Sequence, residues 1–276
     1  MSHTKVGSDF LYLYGVILAE ELEKSDIPSI LGIDQKIVTT KIDNQLAAVI
    51  TTVNAQYFSQ ERIDQQLKDA EWLKEKAFHH HEVISIIHQH FTVLPMSFCT
   101  IFQNESNLEN LLDVQYDVIF QKLLSLKSQQ EWNLKVFCNN EKALSFILQH
   151  NEAVLDLREK LALMPKGKQF LMKKKLEHLI TSELEVEQSN WWSKIQQHVT
   201  SVVSDTNLRR NWGREVTERK EEMIVNCDFL IEQSKSEEFM SRVIELEKLF
   251  DPLGCTFQVT GPWPPYHFSK MAKEIL

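Results

Sequence analysis

Gly261-Pro262-Trp263-Pro264-Pro265-Tyr266-His267-Phe268 restricts the fold more than any other stretch of this chain. Its three prolines hold φ near about −65° and remove three backbone donors, so neither a helix nor a central strand can run through it. Trp263, Tyr266 and Phe268 nonetheless carry more apolar surface than a solvated tail displays. A stiff, extended, aromatic segment has to dock, whether on its own chain, on another protein or on a ligand.

The 276 residues of the chain are enough for two compact domains or for a single larger one. Only seven glycines occur, against Gly-rich phosphate loops and against an all-β sandwich of tight turns. Thirty basic residues against 39 acidic ones give a net charge of −9, which argues against a general nucleic-acid binder. Cys99, Cys138, Cys227 and Cys255 form no CxxC pair, and each lies in an apolar run where a free thiol behaves as a small hydrophobe. A reduced, cytoplasmic protein is expected. Met1-Ser2-His3-Thr4-Lys5 leads into no signal-peptide core, and no apolar run approaches the roughly 20 residues that span a bilayer.

Residues 10–18 are almost continuously apolar, the pattern of a strand buried on both faces. Residues 36–41 and 46–53 predict a hairpin turning at Asp43-Asn44. Ser59 is placed to cap one long helix to about His90, with Ile63, Leu67, Ala70, Leu73, Ala77, Ile84 and Ile87 as its stripe. A strand-like run, 91–102, is bent by Pro95, and Asn104 opens a helix to about Leu126. Lys127-Ser128-Gln129-Gln130 is the domain boundary, giving an amino-terminal domain over 1–128 and a carboxy-terminal one over 129–276.

Past it, 131–138 alternates with a period of two. Asn139 starts a helix to about Leu163, and a second helical stretch covers 168–203 with a break near Ser189-Asn190. Strands follow at 208–214 and 222–231. Ser234 and Glu237 have capping-box spacing ahead of a helix to Phe250, and 255–260 is the last strand. The expected class is α+β: an amino-terminal mixed α/β unit and a carboxy-terminal ferredoxin-like β-α-β-β-α-β domain with extra helices.

His79-His80-His81, His88 and His90 invite a metal reading. At 100° per residue His81 and His88 fall on the apolar stripe while His79 and His90 point away. Two turns separate His81 from His88, about 10 Å, too far for one ion held by those two alone. HExxH, GxSxG, P-loop and GxGxxG patterns are absent. The residues therefore point to inward histidines rather than ligands, and to no catalytic, metal or cofactor site. The basic run Lys166 to Lys175, followed by Glu177, Glu183, Glu185 and Glu187, reads as a solvated helix face. Trp191 and Trp192 point about 100° apart and cannot both face one core, so at least one belongs at an element junction, a domain interface or a partner surface, or else the pair fills a bulky core corner; Trp212 raises the same question.

Together these stretches resemble the gas vesicle protein F and L family. The resemblance is carried by Tyr12-Leu13-Tyr14-Gly15, Trp72-Leu73, His81-Glu82-Val83, Leu94-Pro95-Met96-Ser97-Phe98-Cys99-Thr100-Ile101-Phe102, Glu131-Trp132 with Lys135-Val136, and above all residues 261–268. Ser97 stands where the family usually has Arg, and Cys99 where it has Gly. The resemblance implies a two-domain α+β protein, not an enzyme, needed for gas vesicle assembly. It implies binding to the hydrophobic shell protein GvpA or to other accessory Gvp proteins, in a chaperone or nucleation role at the vesicle or in the cytoplasm. Residence in the shell is the alternative, and a metal-dependent enzyme using His81 and His88 the third reading. Trp191, Trp192, Trp263, Tyr266 and Phe268 are the expected partner contacts, although folding back on its own chain is the simplest use of the 261–268 aromatics.

Overall fold

Strand β1, Asp9–Leu18, is buried along nearly its whole length and carries the first sheet, as its continuous hydrophobicity predicts. The computed structural model describes residues 9–270, so Met1–Lys5, where a signal sequence was sought, lies outside the described residues. After a short 3-10 turn at Ala19–Glu23 come β2, Thr39–Asp43, and β3, Leu46–Asn54. They form the expected hairpin, with Asn44 at φ 52° in its turn, although β2 starts three residues later than the sequence suggests.

The single helix expected from Ser59 to His90 is two. Helix α1, Gln60–Gln66, stops and α2, Ala70–His88, restarts behind Asp69, whose carboxylate accepts from the Glu71 and Trp72 N–H groups. A side chain that satisfies two free donors competes effectively with continuing the helix. Pro95 ends β4, Val93–Pro95, and β5, Ile101–Phe102, follows a bend. Both pair antiparallel with β1, giving a sheet in the order β2-β3-β1-β4 with β5 also on β1. Gly15 permits this approach, because a Cβ there would lie 2.8 Å from the Leu94 carbonyl oxygen. Helix α3, Glu105–Val114, is capped by Asn104; α4, Tyr116–Leu126, restarts at Gln115 instead of continuing it.

Strand β6, Gln129–Cys138, leads into α5, Asn140–His150, and α6, Glu152–Ala162. Asn151 separates these two by accepting from the Val154 N–H, where one helix was expected. Helix α7, Lys166–Val199, then runs 34 residues without the break anticipated at Ser189-Asn190, about 51 Å. Strand β7 is Asp205–Leu208, upstream of the predicted 208–214, whose end instead opens the single turn α8, Arg214–Thr217. Strand β8, Glu222–Glu232, is followed by a 3-10 turn and α9, Ser236–Phe250, which no side chain caps, so the Ser234–Glu237 box does not form. Strand β9, Cys255–Trp263, extends three residues into the proline segment. It lies at an edge of the order β7-β8-β6-β9, where missing donors are tolerated.

The molecule is thus α+β with two antiparallel sheets. Among the described residues, 9–131 with 262–270 form one unit and Trp132–Gly261 the other. The first cut lies close to the 128/129 boundary, while 262–270 return to the amino-terminal unit. That unit's core joins Tyr12, Tyr14 and Ile17 of β1 to Val49 and Val53 of β3 and Ile84 and Ile87 of α2. In the second unit Leu134 and Val136, Phe229, Phe239 and Phe250 pack with Trp191, Ile195 and Val199 from the last turns of α7.

Candidate partner-binding site

Three prolines leave the 261–268 segment few backbone donors, and side chains do the tethering. The Tyr266 hydroxyl lies 2.8 Å from His81 Nδ1, and the rings of Trp263 and Tyr266 lie 5.5 and 5.7 Å from that imidazole. His267 is clamped by Glu131: its backbone N–H donates to Oε2 at 2.8 Å and Nδ1 meets Oε1 at 2.6 Å. The Glu131 side chain is only 3% exposed, so this pairing keeps a carboxylate that could not stand alone there. Tyr266 N–H donates to the Pro264 carbonyl and Ser269 N–H to that of Pro265, closing the segment into a turn with Phe268 buried. Burial raises the Tyr266 phenol above its usual range.

A second network lies beneath β1. His80, on α2, is 5% exposed, with Nδ1 2.8 Å from the Tyr12 hydroxyl and Nε2 3.2 Å from the Met96 carbonyl. The Cys99 N–H donates to the same hydroxyl at 3.1 Å. The consistent arrangement has Cys99 donating to Tyr12, Tyr12 to Nδ1, and Nε2–H to Met96. Burial, partly offset by the Met96 bond, pushes the imidazole down to about 4, and burial also holds the Tyr12 phenol protonated. The network fastens the loop between β4 and β5, where Cys99 sits at φ 64° and Ser97 is exposed.

His80 is the residue that sequence reasoning missed. A stripe drawn continuously from Ile63 crosses the Asp69 break; counted within α2 alone, His80, Ile84 and Ile87 share the buried face. His81 and His88 flank that face and are half-buried. His81 is engaged by Tyr266, and burial lowers both imidazoles. Cys99 is half-buried with its thiol pushed up to about 11, and Cys227 is raised to about 12, both by burial.

Of the aromatics singled out, Trp191 is 1% exposed and packs edge-on against Phe250, while Trp192 packs on the same core from a half-buried position. Trp192 also borders a cleft with Leu208, Arg209 and Met223. Trp212 stacks under Lys135, whose Nζ lies 4.4 Å from the ring centre. The structure therefore brings Trp263, Tyr266 and Phe268 together on one segment, and separately joins Trp191 and Trp192 on α7. Large apolar side chains that are well exposed stand elsewhere, at Leu163, Phe170 and Leu171, with exposures of 88%, 80% and 75%.

The family described as "Gas vesicle synthesis protein GvpL/GvpF" matches residues 10–270. Gas vesicle protein L of a Streptomyces species is 23% identical over 230 residues, covering 83% of this chain and 82% of that protein. Gas vesicle protein F1 of Halobacterium salinarum is 24% identical over 258 residues, 94% of this chain and 92% of that one. Among solved structures, gas vesicle protein GvpF of Anabaena superposes with a TM-score of 0.72 at 18% identity, covering 96% of this chain and 100% of that chain.

Proposed function

This chain belongs to the GvpL/GvpF family of gas vesicle synthesis proteins, and we propose that it serves vesicle assembly by binding rather than catalysis. Its partner on this reading is the hydrophobic shell protein GvpA or another accessory vesicle protein, met in the cytoplasm or at the growing vesicle. A shell subunit with large apolar patches associates indiscriminately until those patches are covered, and a helper covers them or sets the first contacts. The observation that carries the reading is three bare apolar side chains close together in sequence, Leu163, Phe170 and Leu171, none of which is part of the chain's own core. His80 and His81, with displaced proton equilibria, are held by contacts within the fold, which also favours binding.

Trp192 and Trp263 are the aromatics assigned to partner contact, each half-buried, with Trp191 anchoring the first in the core and Tyr266 and Phe268 anchoring the segment that carries the second. We read the two units as two domains. In the second, the succession β6, α5–α7, β7, β8, α9, β9 and the order β7-β8-β6-β9 support a ferredoxin-like unit with added helices.

The test is co-purification of the tagged chain with the shell protein from vesicle-forming cells, wild type beside Trp192→Ala and Trp263→Ala. Wild type retains the shell protein, and each variant loses about tenfold of it, equivalent to about 1.4 kcal/mol of contact. Failure of wild type to retain either the shell protein or an accessory vesicle protein overturns the proposal. Persistence of the chain on vesicles washed with strong denaturant overturns the transient role in favour of a shell resident.

A further inference from the structure

Helix α7 is far longer than its core requires. Its buried residues are Trp191, Ile195 and Val199, all in the last turns, and residues 166–190 bury none. Helices in proteins owe most of their stability to a packed apolar face, and ahead of half-buried Leu184, which packs on the core, α7 adds no side chain to it, so that stretch is retained for another use. Alongside α6 that stretch forms a groove of roughly 560 Å³. Its apolar lining is Leu161, Ala162, Phe170 and Leu176, and its charged lining is Arg158, Lys166 and Lys173, without a carboxylate. From Arg158 to Leu176 seven cationic side chains stand against one carboxylate, Glu159, in a chain whose net charge is −9. Lys166 and Lys173 form no ion pair among the described residues.

We infer that the groove between α6 and α7 receives an acidic amphipathic helix of an assembly partner, its apolar stripe on Phe170 and Leu176 and its flanking carboxylates on Lys166, Lys173 and Arg158. The inference rests on the binding role proposed above and names the chemistry of what is bound. Two adjacent helices offer the ridge-and-groove surface that a third helix fills, and anchors at i, i+3, i+4 and i+7 match a floor of this kind. Nucleic acid would leave the apolar floor unused, because its backbone asks for cations and hydrogen-bond donors. A membrane surface would select a convex apolar face rather than a groove.

The probe is a fluorescein-labelled synthetic helix with leucines at i, i+3, i+4 and i+7 and glutamates flanking them, titrated with the full chain by anisotropy. Binding in about the micromolar range is expected, weakening as salt rises and falling at least about tenfold in Phe170→Glu and in the Lys166→Glu/Lys173→Glu pair. Far-UV circular dichroism of each variant stays unchanged, since Phe170 is 80% exposed. Equal binding of a scrambled peptide, indifference to the variants, or preference for a single-stranded oligonucleotide or for phosphatidylserine vesicles overturns the inference. So does self-association of the chain, by sedimentation velocity, that Phe170→Glu abolishes. In cells lacking the gene, rescue of vesicles by wild type and Phe170→Glu alike overturns the groove and leaves the assembly role standing. Normal vesicles without the gene overturn the assembly role, while peptide binding still decides the groove.

Discussion

His80 shows how one side chain links the chain's protonation to its fold. Bonded through both ring nitrogens and buried, it has a folded value near 4 against an ordinary 6.5. The folded form refuses a proton that the unfolded chain accepts, so this contribution is complete above about pH 6.5 and is lost as pH falls toward 4. Between about pH 7.5 and pH 5 wild type should lose about 2 kcal/mol of unfolding free energy that His80→Gln does not lose, read from urea titrations at both pH values. Equal losses in the two proteins would remove His80 from the account. Nearby, Cys99 sits at φ 64°, in the left-handed region that favours glycine. Cys99→Gly should stabilise the chain by about 0.5–1 kcal/mol, the left-handed strain outweighing the added backbone entropy of glycine. Cys99→Ala keeps the strain and loses the sulfur, so it should be less stable than Cys99→Gly; the reverse order in thermal melts would assign the greater weight to sulfur packing.

At the scale of elements, what the sequence made legible was periodicity, and what it hid was competition at the joints. Strand β1 was readable because nine successive residues avoid charge, and β8 because seven of residues 223–231 are apolar. The helix breaks at Gln115 and Asn151 were not readable, because the apolar stripes on either side stay nearly in phase across them, whereas at Asp69 the buried face shifts round the axis and a stripe carried through it misplaces His80. Only the bonds from Asp69 and Asn151 to the next helix's free N–H groups reveal two of these interruptions as starts. Conversely, Ser189-Asn190 looked like a break and is not one. The turn beyond it places Trp191 and Ile195 into the core, and that burial outweighs the weak helix preference of Ser and Asn. The strand expected at 208–214 ends at Leu208 because side chains take over the backbone bonds beyond it: Asn226 Nδ2 donates to the Arg210 carbonyl and the Trp212 N–H to Met223 Sδ. The groove between α6 and α7 left no periodic signal, because its floor comes from two helices whose stripes are each too sparse to notice.

At the scale of the whole chain, the 261–268 segment governs connectivity more than contact. The chain leaves the first unit at Glu131, builds the second over Trp132–Gly261, and returns, so residues 262–270 complete a unit the chain left some 130 residues earlier. The return is fastened at His81 of α2 and at Glu131, the last residue before the departure. Truncation after Trp263 deletes Tyr266, His267 and Phe268, leaving Glu131 a buried carboxylate without its His267 donors. An uncompensated buried charge costs several kcal/mol, and loss of Tyr266 and Phe268 adds unfilled apolar space. The truncated chain should therefore show faster amide hydrogen exchange across β1, β3 and α2, while β8 and α9, whose core depends on Trp191, Phe229 and Phe239, keep their protection. Glu131→Gln with His267→Ala in the full-length chain should reproduce a milder form of the same pattern. Loss of protection spread evenly over both units, or confined to β8 and α9, would overturn this account and make the segment part of the second unit's own core.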